Sequence, residues 1–542
     1  MKHVNQFYQF YQFYQFIPNL IDKKRFKAIC IVLYQYQMLL YLILISITCF
    51  SATSYGIVNK HPLESKNIST YTSFCQNKLN NKYNDKSNDQ YKNSKNGYGY
   101  KNNKNNNDNK KYGDEYVYQP QQIHISYSSD PYEMVITWNT KCNTNTSEVQ
   151  YSLSGGKPMF NYSVKGGMES ITKFVDGGSL KNTQYIHRIT LPNLIPGKTY
   201  LYRCGSQYIG WSDIFYFRAM RRYDLSSSSE YPHLIYYGDL GDTNSVSLAR
   251  IQQEAQKGLY DAILHVGDFA YNFYSQNGTV GDKFMNDIQS AAAYIPYMTA
   301  VGNHEYLYNF SHYLNRFTMP GYYQGQGNMY YSWNIGPLHI ITLSTEYYYF
   351  FPGQREQLVQ QQYQWLENDL IRANLPQNRF KQPWIIVMGH KPFYCSNVVK
   401  DLCATIDNPI RVGLLVNNTR IYGLEYLLTK YSVDLTLWAH EHSYERLYPV
   451  YDYNVYKEGV YYKNKTAYYY NPKVPVQIIS GSPGCNEELT PFKNETFDWS
   501  AFRSETYGYG HMYAHNATHL NLVQINGTSG KTIDNLWIIK DR

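Results

Sequence analysis

Five polar clusters each follow a short apolar run in one stretch of this chain: Gly238-Asp239-Leu240-Gly241, Gly267-Asp268-Phe269-Ala270-Tyr271, Gly302-Asn303-His304-Glu305, Gly389-His390 and His440-Glu441-His442. Singly, each is a weak signal. In this order the carboxylates, phenol, amide and imidazoles read as the donor set of two metal ions acting on a phosphoester. A carboxylate can give one oxygen to each of two ions, and Asp268 suits that bridge. Asp239 supplies a second oxygen, and His390, His440 and His442 supply imidazole nitrogens. Asn303 offers a neutral amide oxygen, which holds a divalent ion without adding charge.

The apolar runs before these clusters are LIYY, AILHV, YMTAV, WIIVM and VDLTLW. Helical patterns lie between them. One has Leu248, Ile251, Ala255 and Leu259 on a face, with Asn244 or Ser245 as its cap, and another carries Val359, Tyr363, Leu366 and Leu370. Such alternation predicts a buried sheet flanked by helices, with ligands gathered at the carboxyl ends of the strands. Upstream, from Tyr116 to Arg222, the texture differs. QQIHISYS, MVITWNT, EVQYSLS, YIHRITL and YLYRCGS alternate apolar and polar residues between turns, which predicts a small antiparallel β-sandwich with Trp138 in its core. Leu194-Ile195-Pro196-Gly197-Lys198-Thr199-Tyr200 resembles the end of a fibronectin type III-like domain.

The constellation resembles the calcineurin-like metallophosphoesterases, and among them the purple acid phosphatases of the long, two-domain type. Most of that superfamily carry Asp-x-His in the first cluster, whereas this chain has Asp239-Leu240-Gly241 and places Tyr271 three residues after Asp268. A phenolate is a hard anionic ligand that favours Fe(III). YYSWNIGPLHIITLSTE, LWAHEHSYERLYP, IISGSPGCNEELTPF and SAFRSETYGYGH extend the resemblance along residues 116–542. It implies a ferric site of Asp239, Asp268, Tyr271 and His442, and a divalent site (Fe, Zn or Mn) of Asp268, Asn303, His390 and His440. It implies an acid phosphatase that hydrolyses phosphate monoesters by attack of a metal-bound hydroxide, with His304 binding phosphate or protonating the leaving group. The fold implied is an α+β/all-β two-domain architecture, a fibronectin type III-like sandwich over 116–222 followed by a four-layer α/β/β/α metallophosphoesterase domain over 230–542. A homodimer is also implied. The chain departs from its long-type relatives in having no His between His390 and His440, which leaves His304 or an acid such as Asp407 as the leaving-group donor. Ala439 also stands where Gly is more common. Glu441, Tyr444, Glu445 and Arg446 read as braces of the ligand loop. The string Tyr347-Tyr348-Tyr349 reads as packing before substrate lining.

The N-terminus directs the rest. Residues 1–27 hold a Gln-Phe-Tyr repeat and the basic run Lys23-Lys24-Arg25-Phe26-Lys27. Residues 28–54 contain MLLYLILISITCF, which fits a signal peptide or a signal anchor; both deliver the body of the chain to the secretory pathway, for secretion, for a lysosome or vacuole, or for a membrane tether. Residues 55–115 are rich in Asn, Lys and Tyr and read as a disordered linker. The sequons at Asn67, Asn145, Asn161, Asn277, Asn309, Asn417, Asn464, Asn494, Asn516 and Asn526 agree with that route. Of eight Cys, Cys395 and Cys403 are spaced to close a small loop, and Cys142 and Cys204 to bridge strands of the sandwich; no CxxC zinc pattern occurs. The net charge of +8 forms no basic stripe near the clusters, so the expected partners are small phosphorylated substrates and not nucleic acid. Two rival readings are a dinuclear Mn or Zn phosphodiesterase or nucleotide pyrophosphatase, and a non-catalytic surface protein that binds a partner through its sandwich.

Overall fold

The computed structural model describes residues 117–223, 231–322, 325–398 and 402–541. The segments read above as 1–27, 28–54 and 55–115 lie outside these residues, as does Asn67. Among the described residues no helix is long and apolar enough to cross a membrane.

The first region forms two facing sheets. One orders strands Gln121–Tyr127, Met134–Thr140, Thr183–Leu191 and Ile171–Val175; the other orders Tyr162–Gly166, Ser147–Leu153, Thr199–Ser206 and Gly210–Trp211, with Phe215–Arg218 on Thr199–Ser206. Met134–Thr140 is buried along its whole length, because its period of two serves two partners. Met134, Ile136 and Trp138 fill the sandwich core, while Thr137 hydrogen-bonds Thr318 of the second region at 3.0 Å. Trp138 stacks on His187 at 4.9 Å. In the loop Leu194 to Tyr200, the Ile195 N–H donates to the Tyr200 hydroxyl at 2.9 Å, which fixes that corner.

The second region is built on two larger sheets. One holds Tyr297–Ala300, Ala262–Val266 and His233–Tyr237 in parallel, continued antiparallel by Gly508–Tyr513, His519–Asn526 and Thr532–Ile539. The other holds Leu338–Thr342, Trp384–Met388, Leu435–Trp438 and Val476–Ser480 in parallel. Each of the five apolar runs read from sequence is one of these parallel strands. Helices Leu248–Gln256 and Thr279–Ala292 cross over between strands of the first sheet, and Arg355–Ala373 and Leu424–Lys430 between strands of the second. Right-handed crossovers put each pair on one face of its sheet, which leaves the other faces for each other. One continuous core joins them: Leu234, Ile263, Ile386, Leu437 and Ile478 are fully buried, with Ile251, Ile288, Leu366 and Leu370 from the helices.

Two expectations are corrected. The first helix begins after Ser247, not at Asn244 or Ser245, because the Ser245 carbonyl already accepts from the Leu248 N–H in a preceding turn. Leu259 lies beyond the helix and is exposed.

The two regions meet at Asp282 on helix Thr279–Ala292. Its carboxylate accepts from Gln122 (3.2 Å) and Gln184 (2.8 Å), pairs with Lys141 of the sandwich, and pairs with the fully buried Arg316 at 2.9 Å. Burial opposes its charge, but Arg316 and Lys141 prevail and hold the carboxyl down to about 2. A depressed folded pKa stabilises the fold above the unfolded value near 3.8, and that contribution is lost as pH falls through about 2. The shift corresponds to ~2 kcal/mol. Asp282→Asn is therefore expected to lower stability by at least ~2 kcal/mol at pH 7. The gap to the parent should narrow between pH 4 and pH 2. Urea unfolding at a series of pH values reads it, and a gap independent of pH would contradict the assignment.

Candidate metal centre

Every residue singled out as a ligand stands just past the carboxyl end of a parallel strand. Asp239 follows His233–Tyr237, Asp268 and Tyr271 follow Ala262–Val266, and Asn303 opens a short 3-10 turn after Tyr297–Ala300. His390 follows Trp384–Met388, and His440 and His442 follow Leu435–Trp438. The chain turns sharply at these points. Asp239, Asp268, Tyr271 and His440 all have left-handed backbones, with φ of 61°, 50°, 46° and 71°. For non-glycine residues this costs about 1 kcal/mol each, and it persists where the surroundings dictate it. Those surroundings are visible at Gly302, where a Cβ would lie 2.2 Å from Asp268 Oδ1. Gly238 likewise leaves the space that Ala439 occupies, since a Cβ there would lie 2.3 Å from that of Ala439.

The seven candidate ligands come together in two groups. In the first, the Tyr271 hydroxyl lies 3.1 Å from Asp239 Oδ1 and 2.8 Å from His442 Nε2. In the second, His390 Nε2 lies 3.0 Å from Asp268 Oδ2, 3.1 Å from Asn303 Oδ1 and 3.2 Å from His440 Nδ1. Asp239 Oδ2 accepts from the His440 N–H at 2.9 Å and so ties the groups together. Hydrogen bonds to backbone carbonyls select the tautomers. His390 Nδ1 faces Val266 O at 2.9 Å and His442 Nδ1 faces Glu488 O at 3.1 Å, so each donates there and turns the Nε2 lone pair into the centre.

Electrostatics define what fits. Asp239 and Asp268 are buried. Burial by itself would lower His390, but the Asp268 carboxylate raises it to about 10; against the same penalty, Asp239 and Cys485 raise His442 to about 12. Burial would raise Asp268, yet His390 and His304 hold its carboxyl well below the usual range. Burial, Asp239 and Asp268 push the Tyr271 phenol well above its ordinary value. A set this negative calls for cations, and a phenolate forms in it only beside one of high charge. Hard oxygens with imidazole lone pairs aimed inward fit a pair of transition-metal ions.

His304 sits beside the second group. Its N–H donates to Asp268 Oδ1 at 2.8 Å, its Nδ1 lies 2.8 Å from Asn272 Oδ1, and its Nε2 lies 3.7 Å from Glu487 Oε1. The alternative acid, Asp407, is directed to Arg420 at 2.6 Å on an exposed surface. The braces read from sequence hold loops together: Glu445 accepts from the Ser396 N–H and hydroxyl, and Tyr444 and Arg446 both bind Asp534. Tyr347 and Tyr348 are core residues, whereas Tyr349 lies under Lys391.

Three contributors went unassigned in the sequence. Glu305 accepts the N–H groups of Asp268 (3.1 Å), Phe269 (3.1 Å) and Gly302 (3.0 Å), and so ties the second and third clusters together. Its position within Gly302-Asn303-His304-Glu305 was the available signal. Lys391 approaches His440 Nε2 at 2.6 Å, and the Thr490 hydroxyl accepts from the His442 N–H at 3.1 Å.

Cys395 and Cys403 form a disulfide of 2.03 Å. Glu441 lies beside these sulfurs, but their bond to each other withdraws them from metal binding. The expected Cys142–Cys204 bridge does not form: Cys204 is a free, buried thiol at the core of the sandwich, and Cys142 is disulfide-bonded elsewhere. Asn145, Asn161, Asn309, Asn417, Asn464, Asn494 and Asn516 are exposed. Asn277 and Asn526 are half-buried, with side-chain oxygens that accept from the Leu180 and Ser529 N–H groups.

Three family models match in succession: the purple acid phosphatase N-terminal domain over residues 120–219, calcineurin-like phosphoesterase over 233–444, and iron/zinc purple acid phosphatase-like protein C over 474–535. The chain is 47% identical over 425 residues to acid phosphatase type 7 of Danio rerio, covering 78% of this chain and 92% of that protein. It is 46% identical to its namesake in Homo sapiens, covering 78% and 91%. It is 30% identical to probable purple acid phosphatase 20 of Arabidopsis thaliana, covering 74% and 82%. The solved purple acid phosphatase from yellow lupin seeds shares the fold at a TM-score of 0.61 and 22% identity, covering 78% of this chain and 74% of that one.

Removing the Glu305 carboxylate strips three buried N–H groups of their acceptor. Glu305→Ala is expected to cost roughly 2–5 kcal/mol of stability and to lower the metal content of the purified protein. Denaturant unfolding with elemental analysis tests this; a variant of parental stability and full metal content would refute the role.

Proposed function

The chain belongs to the purple acid phosphatase family, and from that membership and the centre above we propose that it hydrolyses phosphate monoesters at an Fe(III)–M(II) pair, M being Fe, Zn or Mn. It is a hydrolase with a binuclear metal centre, and relatives named acid phosphatases do not favour the phosphodiesterase or non-catalytic readings. Asp239, Tyr271 and His442 would hold the ferric ion, Asn303, His390 and His440 the divalent one, and Asp268 both. When bound, such ions supply Lewis acidity, acidifying water and drawing charge from phosphoryl oxygens.

The chain's own residues do the positioning. Val266 O and Glu488 O fix the rings of His390 and His442. The His304 N–H fixes one oxygen of Asp268 and leaves the other on His390 Nε2. Asn272 Oδ1 accepts from His304 Nδ1–H, and this leaves Nε2, on a side chain 23% exposed, 3.9 Å from Asp268 Oδ2. From there, as the imidazolium with both nitrogens protonated, it can bind a phosphoryl oxygen or pass a proton to the leaving oxygen. Glu487, more exposed than His304, lies beside that path.

The observation that carries this reading is the Tyr271 hydroxyl within hydrogen-bond distance of both Asp239 and His442. The parent protein should show a broad visible charge-transfer band that Tyr271→Phe abolishes, and Asp268→Asn should reduce monoester turnover by orders of magnitude. A colourless, fully metallated parent would remove the ferric assignment. Undiminished turnover in Asp268→Asn would remove the two-ion site.

We further propose that the catalytic unit faces the lumen of the secretory pathway. The basic and apolar N-terminal run, the Cys395–Cys403 disulfide and the exposed sequons support this. Protein from a eukaryotic host is expected to lose mass on treatment with an N-glycosidase, and no change in mass would argue against it.

A further inference from the structure

We propose that Glu487 is a specificity residue that selects phosphate monoesters of positively charged alcohols, such as amino-alcohol phosphates, over those of negatively charged alcohols; this rests on the phosphatase reading above. Three side chains lead outward from the centre. Asp268, 1% exposed, has its Oδ2 3.9 Å from Nε2 of His304, which is 23% exposed. Glu487 Oε1 lies 3.7 Å from the same nitrogen, on a side chain 60% exposed. An alcohol that leaves with a proton from His304 departs along this line, so the substituent it carries passes the Glu487 carboxylate on its way to water.

Both neighbours of Glu487 are tied down. On one side, Asn486 Oδ1 accepts from the N–H groups of Asp242 (3.0 Å) and Thr243 (3.1 Å), and the Cys485 N–H donates to Leu240 O at 2.9 Å. On the other, Glu488 O accepts from His442 Nδ1 at 3.1 Å, and the Thr490 N–H donates to His442 O at 3.0 Å. The segment 485–490 is thus held between the first cluster and the His442 loop, and it carries the carboxylate to the mouth. Among the described residues the ion partner of Glu487 is His304, and no lysine or arginine pairs with it. Lys283, in the same corner, is taken by Asp242 and Asp287. A carboxylate without a lysine or arginine partner attracts an ammonium and repels a second carboxylate, and water and salt only partly screen it at this range. In the hydrolysis a water oxygen joins phosphorus, the bond from phosphorus to the alcohol oxygen breaks, and that oxygen takes a proton. The charge on the rest of the alcohol takes no part in this exchange, so Glu487 acts on the choice between substrates.

The test uses the full chain loaded with metal, as parent, Glu487→Gln, Glu487→Lys and Glu487→Asp, with far-UV circular dichroism to verify folding. At neutral pH, kcat/KM is measured for three esters of matching size: phosphoethanolamine, 2-hydroxyethyl phosphate and phosphoglycolate. Any effect of a substitution on His304 or on the ions is common to all three and cancels in their ratios. The parent should rank them in that order. Glu487→Gln should lower the ratio of the ammonium to the carboxylate ester roughly three- to tenfold, and Glu487→Lys further. Glu487→Asp should keep most of the preference, and high salt should compress the ratio of the parent more than that of Glu487→Gln. An unchanged ratio in Glu487→Gln overturns the proposal, as does a folded Glu487→Gln that turns over none of the three. A metal-loaded parent that hydrolyses none of them sinks the phosphatase reading itself, and this proposal with it.

Discussion

Two carboxylates, Asp239 and Asp268, are buried within one cluster of side chains, and the surrounding architecture answers the repulsion between them. Unscreened like charges in a poorly polarisable interior are tolerable only beside positive charge. The polypeptide meets part of that need with imidazoles and with the ammonium of Lys391. It spends backbone strain on the same end. Four candidate ligands sit in left-handed turns, which lets strands from two different sheets aim their ends at one point. Buried N–H groups freed by those turns are collected by Glu305, whose own charge is opposed by burial and by Asp268. A deep apolar core of Val, Ile and Leu strands offsets such local costs.

The sandwich belongs to this account although it supplies no ligand. Helix Thr279–Ala292 leads through Ala293 into strand Tyr297–Ala300 and so into Asn303 and His304. The sandwich grips that helix along its length, through Gln122, Gln184 and Lys141 at Asp282, the Ile123 N–H on Gln289, and the Tyr202 hydroxyl on the carbonyl of Ala293. Ser126 and Arg188 hold Thr318, past the third cluster. A shift of the sandwich would therefore reach the second metal group through a rigid helix. That is a positioning task, and it explains why Gln121–Tyr127 and Met134–Thr140 are buried on both faces.

Much of this was legible in the residues, for a physical reason. Parallel strands buried on both sides read as unbroken apolar runs, and ligands must follow them at their carboxyl ends. LIYY, AILHV and WIIVM therefore announced both the sheet and the places where chemistry collects. What stayed hidden depends on distance through space. Glu305 was in plain view, but nothing in a sequence says that a carboxylate will accept three N–H groups from two loops. Cys204 alternates correctly for a strand, yet it is a free thiol buried in the core that also holds Val149 and Tyr202. The helix start was misplaced because Asn244 and Ser245 serve the loop instead. The Ser245 hydroxyl donates to Gly241 O at 2.6 Å, and the Asn244 amide donates to Tyr507 at 3.0 Å.

The two halves of the centre are held to different degrees by the polypeptide. Around Tyr271, the His442 ring is fixed by Glu488 O, its backbone by Thr490, and the tyrosine hydroxyl already spans Asp239 and His442. Around His440, the ring meets two side chains, His390 Nε2 at 3.2 Å and the Lys391 ammonium at 2.6 Å. The backbone of His440 is pinned by Asp239. Preorganised donors lose little freedom when an ion arrives, and donors that must be released from another partner lose more. In the proposed metal-loaded protein the first half would thus lose less freedom than the second on taking its ion.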